Sequence, residues 1–318
     1  MRIERDMGLQ EWGLLLVLAA LWGGSFLFVE IGLRAFGPMT LVALRVGLAA
    51  LALQLAVRLT GGAMPREPRI WGAFLVMGLL NNVLPFSLIS WGQQAIESGL
   101  ASILNATTPL FTVLLAHFLT RDEPAGARRL FGVGVGFGGV AVLMGPTVLM
   151  GMGARDWGQV AVLGAAFSYA LAGIYGRRLA ALPSLVAAAG MLTASSLVSF
   201  PSALYLEGLP RLPLVAGALP AVLALALVST ALAYLVYFRI LARAGAGNLL
   251  LVTFLIPPAA LLLGYLVLGE RVEGRSLLGV AFVILGLALV DGRLLKRLLP
   301  FALRRDKGGK SSVEETAS

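Results

Sequence analysis

The chain has 318 residues, 58% of them hydrophobic and only 13% charged, with a mean hydropathy of +0.90. A soluble domain needs about 25% charged residues to cover its surface, so this composition excludes a water-soluble globular protein and assigns an integral membrane protein. The formal charge is +9, but the basic residues stand singly between apolar runs and in the C-terminal segment, which excludes the basic face of a nucleic-acid binder. There is no cysteine, so disulfides, thiol catalysis and Cys-ligated metals are excluded as well.

The N-terminal MRIERDMGLQEWG leads into an apolar run with no small-residue cleavage site, which reads as an uncleaved first span. Membrane-length apolar segments follow one another, and the pattern predicts ten helices at 11–32, 38–58, 70–92, 98–119, 127–146, 157–176, 184–206, 215–238, 247–268 and 275–293. Gly-, Pro- and charge-rich breaks separate them, among them Gly37-Pro38, Gly61-Gly62 to Arg69, Arg121 to Arg129, Arg177-Arg178 and Glu270 to Arg275. With the N-terminus in the cytoplasm, 19 of the 25 Lys and Arg residues fall inside. That asymmetry places both termini in the cytoplasm.

One pattern occurs twice. Ser98 to Pro124 is an apolar segment interrupted by Asn105, Thr107, Thr108 and Pro109; Gly245 to Glu273 carries Thr253, Pro257 and Pro258 in the same way. Glu11-Trp12-Gly13 recurs as Asp156-Trp157-Gly158, and Pro38 as Pro183, each 145 residues on. Gly99 and Gly245 are 146 apart; Glu123 and Glu270, Gly132 and Gly279, Gly139 and Gly286 are 147 apart. Each copy holds five spans, and because five is odd the second must cross the membrane in the opposite sense. The predicted fold is therefore an all-α integral membrane protein of ten transmembrane helices in two inverted five-helix repeats. The repeats occupy residues 1–150 and 151–295, and 296–318 form a basic, disordered cytoplasmic tail.

ALWGGSFLFVEIGL, SGLASILNATTPLFTVLLA, AAFSYALAGIYGRRL and IPPAALLLGYLVLGERVEGRSLLGVAFVILG resemble the span patterns of the EamA-type branch of the drug/metabolite transporter superfamily. The resemblance covers almost the whole chain and implies a bacterial inner-membrane exporter of metabolites or amino acids. It departs in the first repeat, where Arg121-Asp122-Glu123 stands in place of Gly-Glu-Arg.

The chain lacks HExxH, P-loop and GxSxG motifs, and no acid pair or Ser/His pair is legible, so neither an enzyme nor a cofactor or metal site is expected. Charged residues inside spans cost about 2.5–3.5 kcal/mol each at the bilayer centre. Glu30 and Arg45 are such residues on adjacent antiparallel spans, read either as an ion pair or as a carboxylate-binding or proton-coupling site. His117, the single histidine, lies near a cytoplasmic span end and is a further coupling candidate. Uncharged polar and aromatic groups at mid-depth form the candidate binding surface: Trp22, Ser25, Asn81, Asn82, Asn105, Thr108, Ser168, Tyr169, Ser229, Tyr234 and Thr253. Gly23, Gly24, Pro85, Pro109, Pro257 and Pro258 interrupt helices beside that surface and are the hinge candidates. Gly132, Gly134, Gly136, Gly138, Gly279 and Gly286 mark close helix packing, or alternatively a homo-oligomer interface.

The expected partners are the lipid bilayer and a small organic solute, with no nucleic acid. An amphipathic pocket with aromatic walls and amide donors suits a small zwitterion with an apolar or aromatic side chain. A multidrug exporter of cationic compounds, a passive channel and a non-transporting scaffold are the alternatives.

Overall fold

The computed structural model describes residues 8–119, 126–145, 152–209, 215, 217–271 and 274–292. The 296–318 tail and the Arg121-Asp122-Glu123 motif lie outside them. Among the described residues thirteen α-helical segments account for the ten spans, because several spans are broken by tighter or wider turns. The first repeat holds α1 (Leu9–Leu33), α2 (Pro38–Leu59), α3 (Pro68–Gly78), α4 (Leu84–Gly92), α5 (Ser98–Asn105), α6 (Thr108–Leu119) and α7 (Ala127–Met144). The second holds α8 (Ala154–Tyr175), α9 (Ser184–Glu207), α10 (Ala218–Leu223), α11 (Ala233–Leu249), α12 (Val252–Leu263) and α13 (Gly274–Asp291).

Nine helical runs among the described residues are long and apolar enough to cross a bilayer, and the shorter Val252–Leu268 is the ninth span in order. That span differs from the expected 247–268. The preceding helix runs on past the predicted 238, and Gly245 at φ 79° makes the sharp turn between the two. Large apolar side chains such as Leu55, Phe131 and Leu197 remain exposed on the outer faces, as lipid contact requires.

Local chemistry repeats with the chain. Gly8 N–H donates to Glu11 at 3.1 Å at the start of α1, and Gly153 N–H to Asp156 at 3.0 Å at the start of α8. The packing repeats too: α1 lies on α12 as α8 lies on α5 and α6, while α2 packs on α9 and α7 on α13. The glycines of α7 and α13 show the symmetry operator. A Cβ on Gly132 would lie 2.9 Å from the Gly286 carbonyl, and one on Gly286 2.6 Å from the Gly132 carbonyl. Gly139 and Gly279 answer in the same way, at 2.7 and 3.0 Å. Numbers rise along one helix as they fall along the other, so the pair is antiparallel, and each glycine meets the repeat-equivalent of its neighbour. A two-fold axis in the membrane plane produces that geometry. Gly134 and Gly138 have no such neighbour and face open space.

Two of the expected helix interruptions are not found where the sequence put them. Gly23 and Gly24 lie inside the continuous α1, and Gly23 serves close approach instead: a Cβ there would lie 2.8 Å from Ala259 Cβ and 3.1 Å from the Ile256 carbonyl of α12. Pro257 and Pro258 lie inside the continuous α12, whose irregular turn comes later, at the π-helical Gly264–Leu268. The other two breaks are present. Leu79–Val83 forms a π turn before Pro85, and the fourth span is broken between Asn105 and Thr108, just ahead of Pro109. A matching π segment, Ala224–Leu232, occupies the repeat-equivalent eighth span.

Candidate functional site

The polar residues of those irregular turns meet in one place. A cavity of about 590 Å³ lies between the two repeats, inside the 300–1,000 Å³ range of small-molecule sites. The first repeat contributes Trp22, Ser25, Arg45, Asn81, Phe86, Asn105 and Thr108, and the second Tyr169, Ser229, Thr230, Tyr234, Tyr237 and Thr253. None of its lining comes from the described residues of α7 or α13, whose glycine contact holds the halves together away from it. The π turns explain the polar content: widening a helix by one residue per turn frees backbone groups and redirects side chains, here Asn81, Ser229 and Thr230.

The walls are aromatic and ordered. Trp22 and Tyr237 lie 5.7 Å apart between centroids, Phe86 and Tyr169 meet edge to face at 6.5 Å, and Tyr234 stacks on Phe238 at 6.0 Å. Asn81 Nδ2 donates to the Tyr234 hydroxyl at 2.9 Å. The Ser25 hydroxyl donates to the Trp22 carbonyl at 2.6 Å within α1, and the Thr108 hydroxyl to the Asn105 carbonyl at 2.8 Å across the break between α5 and α6, so each is partly satisfied locally. By contrast, Asn105 Oδ1 and Ser229 Oγ are buried without a partner among the described residues.

Several expected site residues belong elsewhere. Asn82 is 0% exposed, donates to Ser195 Oγ at 3.0 Å and does not line the cavity; it ties the third span to α9. Ser168 likewise donates to the Leu80 carbonyl at 2.8 Å and does not line it. Glu30 and Arg45 form no ion pair. Arg45 turns into the cavity, where Nε donates to Thr230 Oγ1 at 3.0 Å, whereas the charges acting on Glu30 are Glu270, Arg34 and Glu97, at the far side of the protein from the N-terminus. Adjacent spans and similar depth do not fix the azimuth of either side chain, which is why the pairing fails. His117 does not line the cavity. Tyr237 and Phe86 were not among the sequence candidates, although Tyr237 stands one helical turn from Tyr234 and periodicity would have found it.

The cavity is asymmetric across the membrane. It reaches the α8–α9 turn through Gly176, Leu179, Leu182 and Ser184, on the side of the protein that also holds the start of α1. On the opposite side two carboxylates cross between the repeats. Glu270 accepts from Ser98 N at 2.9 Å, Ser98 Oγ at 3.0 Å and Gly99 N at 3.1 Å, capping α5. Glu207 accepts from Met39 N at 2.8 Å and Thr40 N at 2.9 Å, capping α2.

A polytopic membrane protein with an inverted repeat and a solute-sized cavity between its halves has the architecture of a secondary transporter. The EamA-like transporter family matches residues 11–145 and 156–291, one copy in each repeat, and the chain belongs to that family. It is 27% identical to the "Uncharacterized inner membrane transporter YedA" of Escherichia coli (strain K12), over 91% of this chain and 92% of that protein. It is also 27% identical to the "Probable amino-acid metabolite efflux pump" of Escherichia coli (strain K12), over 88% of this chain and 94% of the relative. One solved crystal structure superposes with a TM-score of 0.65 at 21% identity, covering 91% of this chain and 99% of its own, and so shares the fold.

Proposed function

We propose that the protein is a secondary exporter of small organic solutes, most directly amino acids and related metabolites, working by alternating access in a bacterial inner membrane. The observation that carries this reading is the cavity between the repeats, about 590 Å³ with aromatic walls, amides from the first half and hydroxyls from both. A zwitterion with an apolar body matches that mixture. The similarity to proteins named as an inner-membrane transporter and as an amino-acid metabolite efflux pump supports the same reading. With the basic loops and both termini in the cytoplasm, a cavity reaching the α8–α9 turn is open inward. The Glu270 and Glu207 caps then hold the outward side shut. Export requires them to part while the opposite side closes, with the energy drawn from solute or ion gradients.

Counterflow of radiolabelled amino acids in proteoliposomes tests the proposal, first at matched pH and then across a pH gradient. Saturable exchange that depends on internal unlabelled solute is the expected result. Unsaturable conduction would assign a channel, and no flux of any amino acid from well-folded protein would refute amino-acid export.

A further inference from the structure

The charge inside the cavity is unbalanced, and the imbalance identifies the chemical group the site accepts. Among the described residues, Arg45 is the one charged side chain that lines it, and no Asp or Glu does. Arg45 is 6% exposed. Its Nε donates to Thr230 Oγ1 at 3.0 Å, and the Thr230 hydroxyl spends its own proton on the Leu225 carbonyl at 2.7 Å, so the oxygen is held as an acceptor. The guanidinium lies over the Phe86 ring with Cζ 3.5 Å from the centroid. These contacts orient the group but occupy one of its five N–H donors. Nothing among the described residues accepts from its terminal nitrogens, and no carboxylate pairs with it.

Burying a cation is costly, and one cation–π contact and one charged hydrogen bond offset only part of that cost. An arginine retained for helix packing would be expected to complete its pairing with a carboxylate on a neighbouring span. This one is aimed into open space with its planar fork free, and that fork matches a carboxylate in bidentate geometry. The repeat supplies no second cation: Gly190 stands 145 residues beyond Arg45, and its side-chain space is filled by the Phe74 ring.

We propose that the terminal guanidinium nitrogens of Arg45 receive the carboxylate of the transported solute, so that the substrates are monocarboxylates, zwitterions included, with an apolar or aromatic body. The inference rests on reading the cavity as the transport site. A dianion would leave one charge unmatched, and an organic cation would meet Arg45 with no acid to balance it. Asn105 Oδ1 and Ser229 Oγ, buried and unpartnered, are the acceptors left for an ammonium group. Asn105 comes from the fourth span, which shares no extensive packing with α2, so the two ends of a zwitterion are received by separate walls.

The test compares matched probes on the full chain in nanodiscs at neutral pH: L-phenylalanine, 3-phenylpropionate, phenethylamine, L-phenylalaninamide and phenylphosphonate, read by equilibrium binding and then by counterflow in proteoliposomes. The two carboxylates are expected to bind at least tenfold tighter than the amine and the amide. Arg45→Gln is expected to abolish that preference, Arg45→Lys to keep part of it, and Thr230→Val to weaken carboxylate binding three- to tenfold. Amine or amide binding as tight as the carboxylates overturns the proposal, as does phenylphosphonate binding tighter than phenylpropionate. Retention of the preference by a folded Arg45→Gln also overturns it. If the arginine variants fail to fold, the wild-type probe comparison still decides. Exchange of phenethylamine without exchange of carboxylates would sink this inference and leave transport standing; binding and exchange of no probe would sink both.

Discussion

The two sides of the protein share one architecture and differ in what fastens them. On the far side, Glu207 closes α9 onto α2 and Glu270 closes the ninth span onto α5, each through backbone amides of the other repeat. On the N-terminal side the repeat-equivalent of Glu207 is Gly62, which has no side chain to reach across. There the described structure leaves the cavity running to the α8–α9 turn. An inverted repeat supplies two equivalent backbone arrangements, and a side chain present on one side only, as Glu207 is against Gly62, biases the balance between them; the other cap, Glu270, has an acidic counterpart in Glu123, which lies outside the described residues. The contact between α7 and α13, mirrored glycine for glycine, is common to both sides and would stay fixed under the alternation proposed above.

That common element gives the largest expected effect. Gly139→Leu places a side chain against the Gly279 carbonyl, 2.7 Å from where its Cβ would stand, and backbone there has nowhere to move. Overpacking of this kind costs about 3 kcal/mol, so the variant should lose its monodisperse gel-filtration peak and most of its thermal stability. Gly138→Leu, on the same helix but facing open space, should leave both unchanged. Equal behaviour of the two would show that the mirrored contact does not hold the repeats together.

A smaller effect separates neighbouring amides. Asn82→Leu removes the donor to Ser195 Oγ, which keeps its own bond to the Met191 carbonyl, and the acceptor of the Tyr234 hydroxyl, and should cost about 1–3 kcal/mol in stability. Solute affinity should change less than stability in the protein that folds, because Asn82 lies behind the cavity wall and reaches it only through the Tyr234 hydroxyl at 3.4 Å. Asn81→Leu should do the reverse, weakening solute binding with little change in melting temperature, since Asn81 lines the cavity beside Tyr234. Affinity lost on Asn82→Leu alone would exchange these assignments.

The same pair of residues marks the limit of what the sequence carried. The spans, the five-plus-five division and the interruptions of the third and fourth spans were legible, because apolar runs of membrane length and a 145–147 spacing are one-dimensional signals. Asn81 and Asn82 have the same composition and depth, and only a helix's rotation about its axis tells which faces the cavity. Gly23 shows the same blindness: a glycine that bends a helix and one that admits a neighbour at 2.8 Å read alike in a string of letters. Glu270 and Ser98 are 172 residues apart, and no local pattern announces that one caps the other. Arg45 was legible as a costly charge, but the absence of its partner was not.

The far-side caps give the next effect in size. Glu270 serves three donors with two oxygens, and Ser98 beneath it is 0% exposed. Glu270→Gln removes one acceptor oxygen and turns an amide toward the helix N-terminus, a loss of about 1–2 kcal/mol. If the cap holds the far side shut, that energy moves the population toward the opposite state by roughly 5- to 30-fold. The chain contains no cysteine, so a single Leu261→Cys in the cleft beside Gly99 and Glu270 is a clean reporter. Its labelling by a membrane-impermeant maleimide should accelerate by that factor in the Glu270→Gln background, with solute exchange retained.

Glu207→Gln should move the same reporter least. Glu207 accepts only two backbone hydrogen bonds, and its side chain is exposed at the end of α9, where water replaces what the substitution removes. An exposed cap of this kind is worth about 0.5–1 kcal/mol, which corresponds to a two- to fivefold increase in labelling. The ordering is the informative result. If Glu207→Gln opens the reporter site as much as Glu270→Gln, the two caps release as one unit and the far side moves as a single gate. If it opens the site less, and the double variant shows the product of the single effects, the α2 and α5 ends are fastened independently and the Glu270 cap dominates.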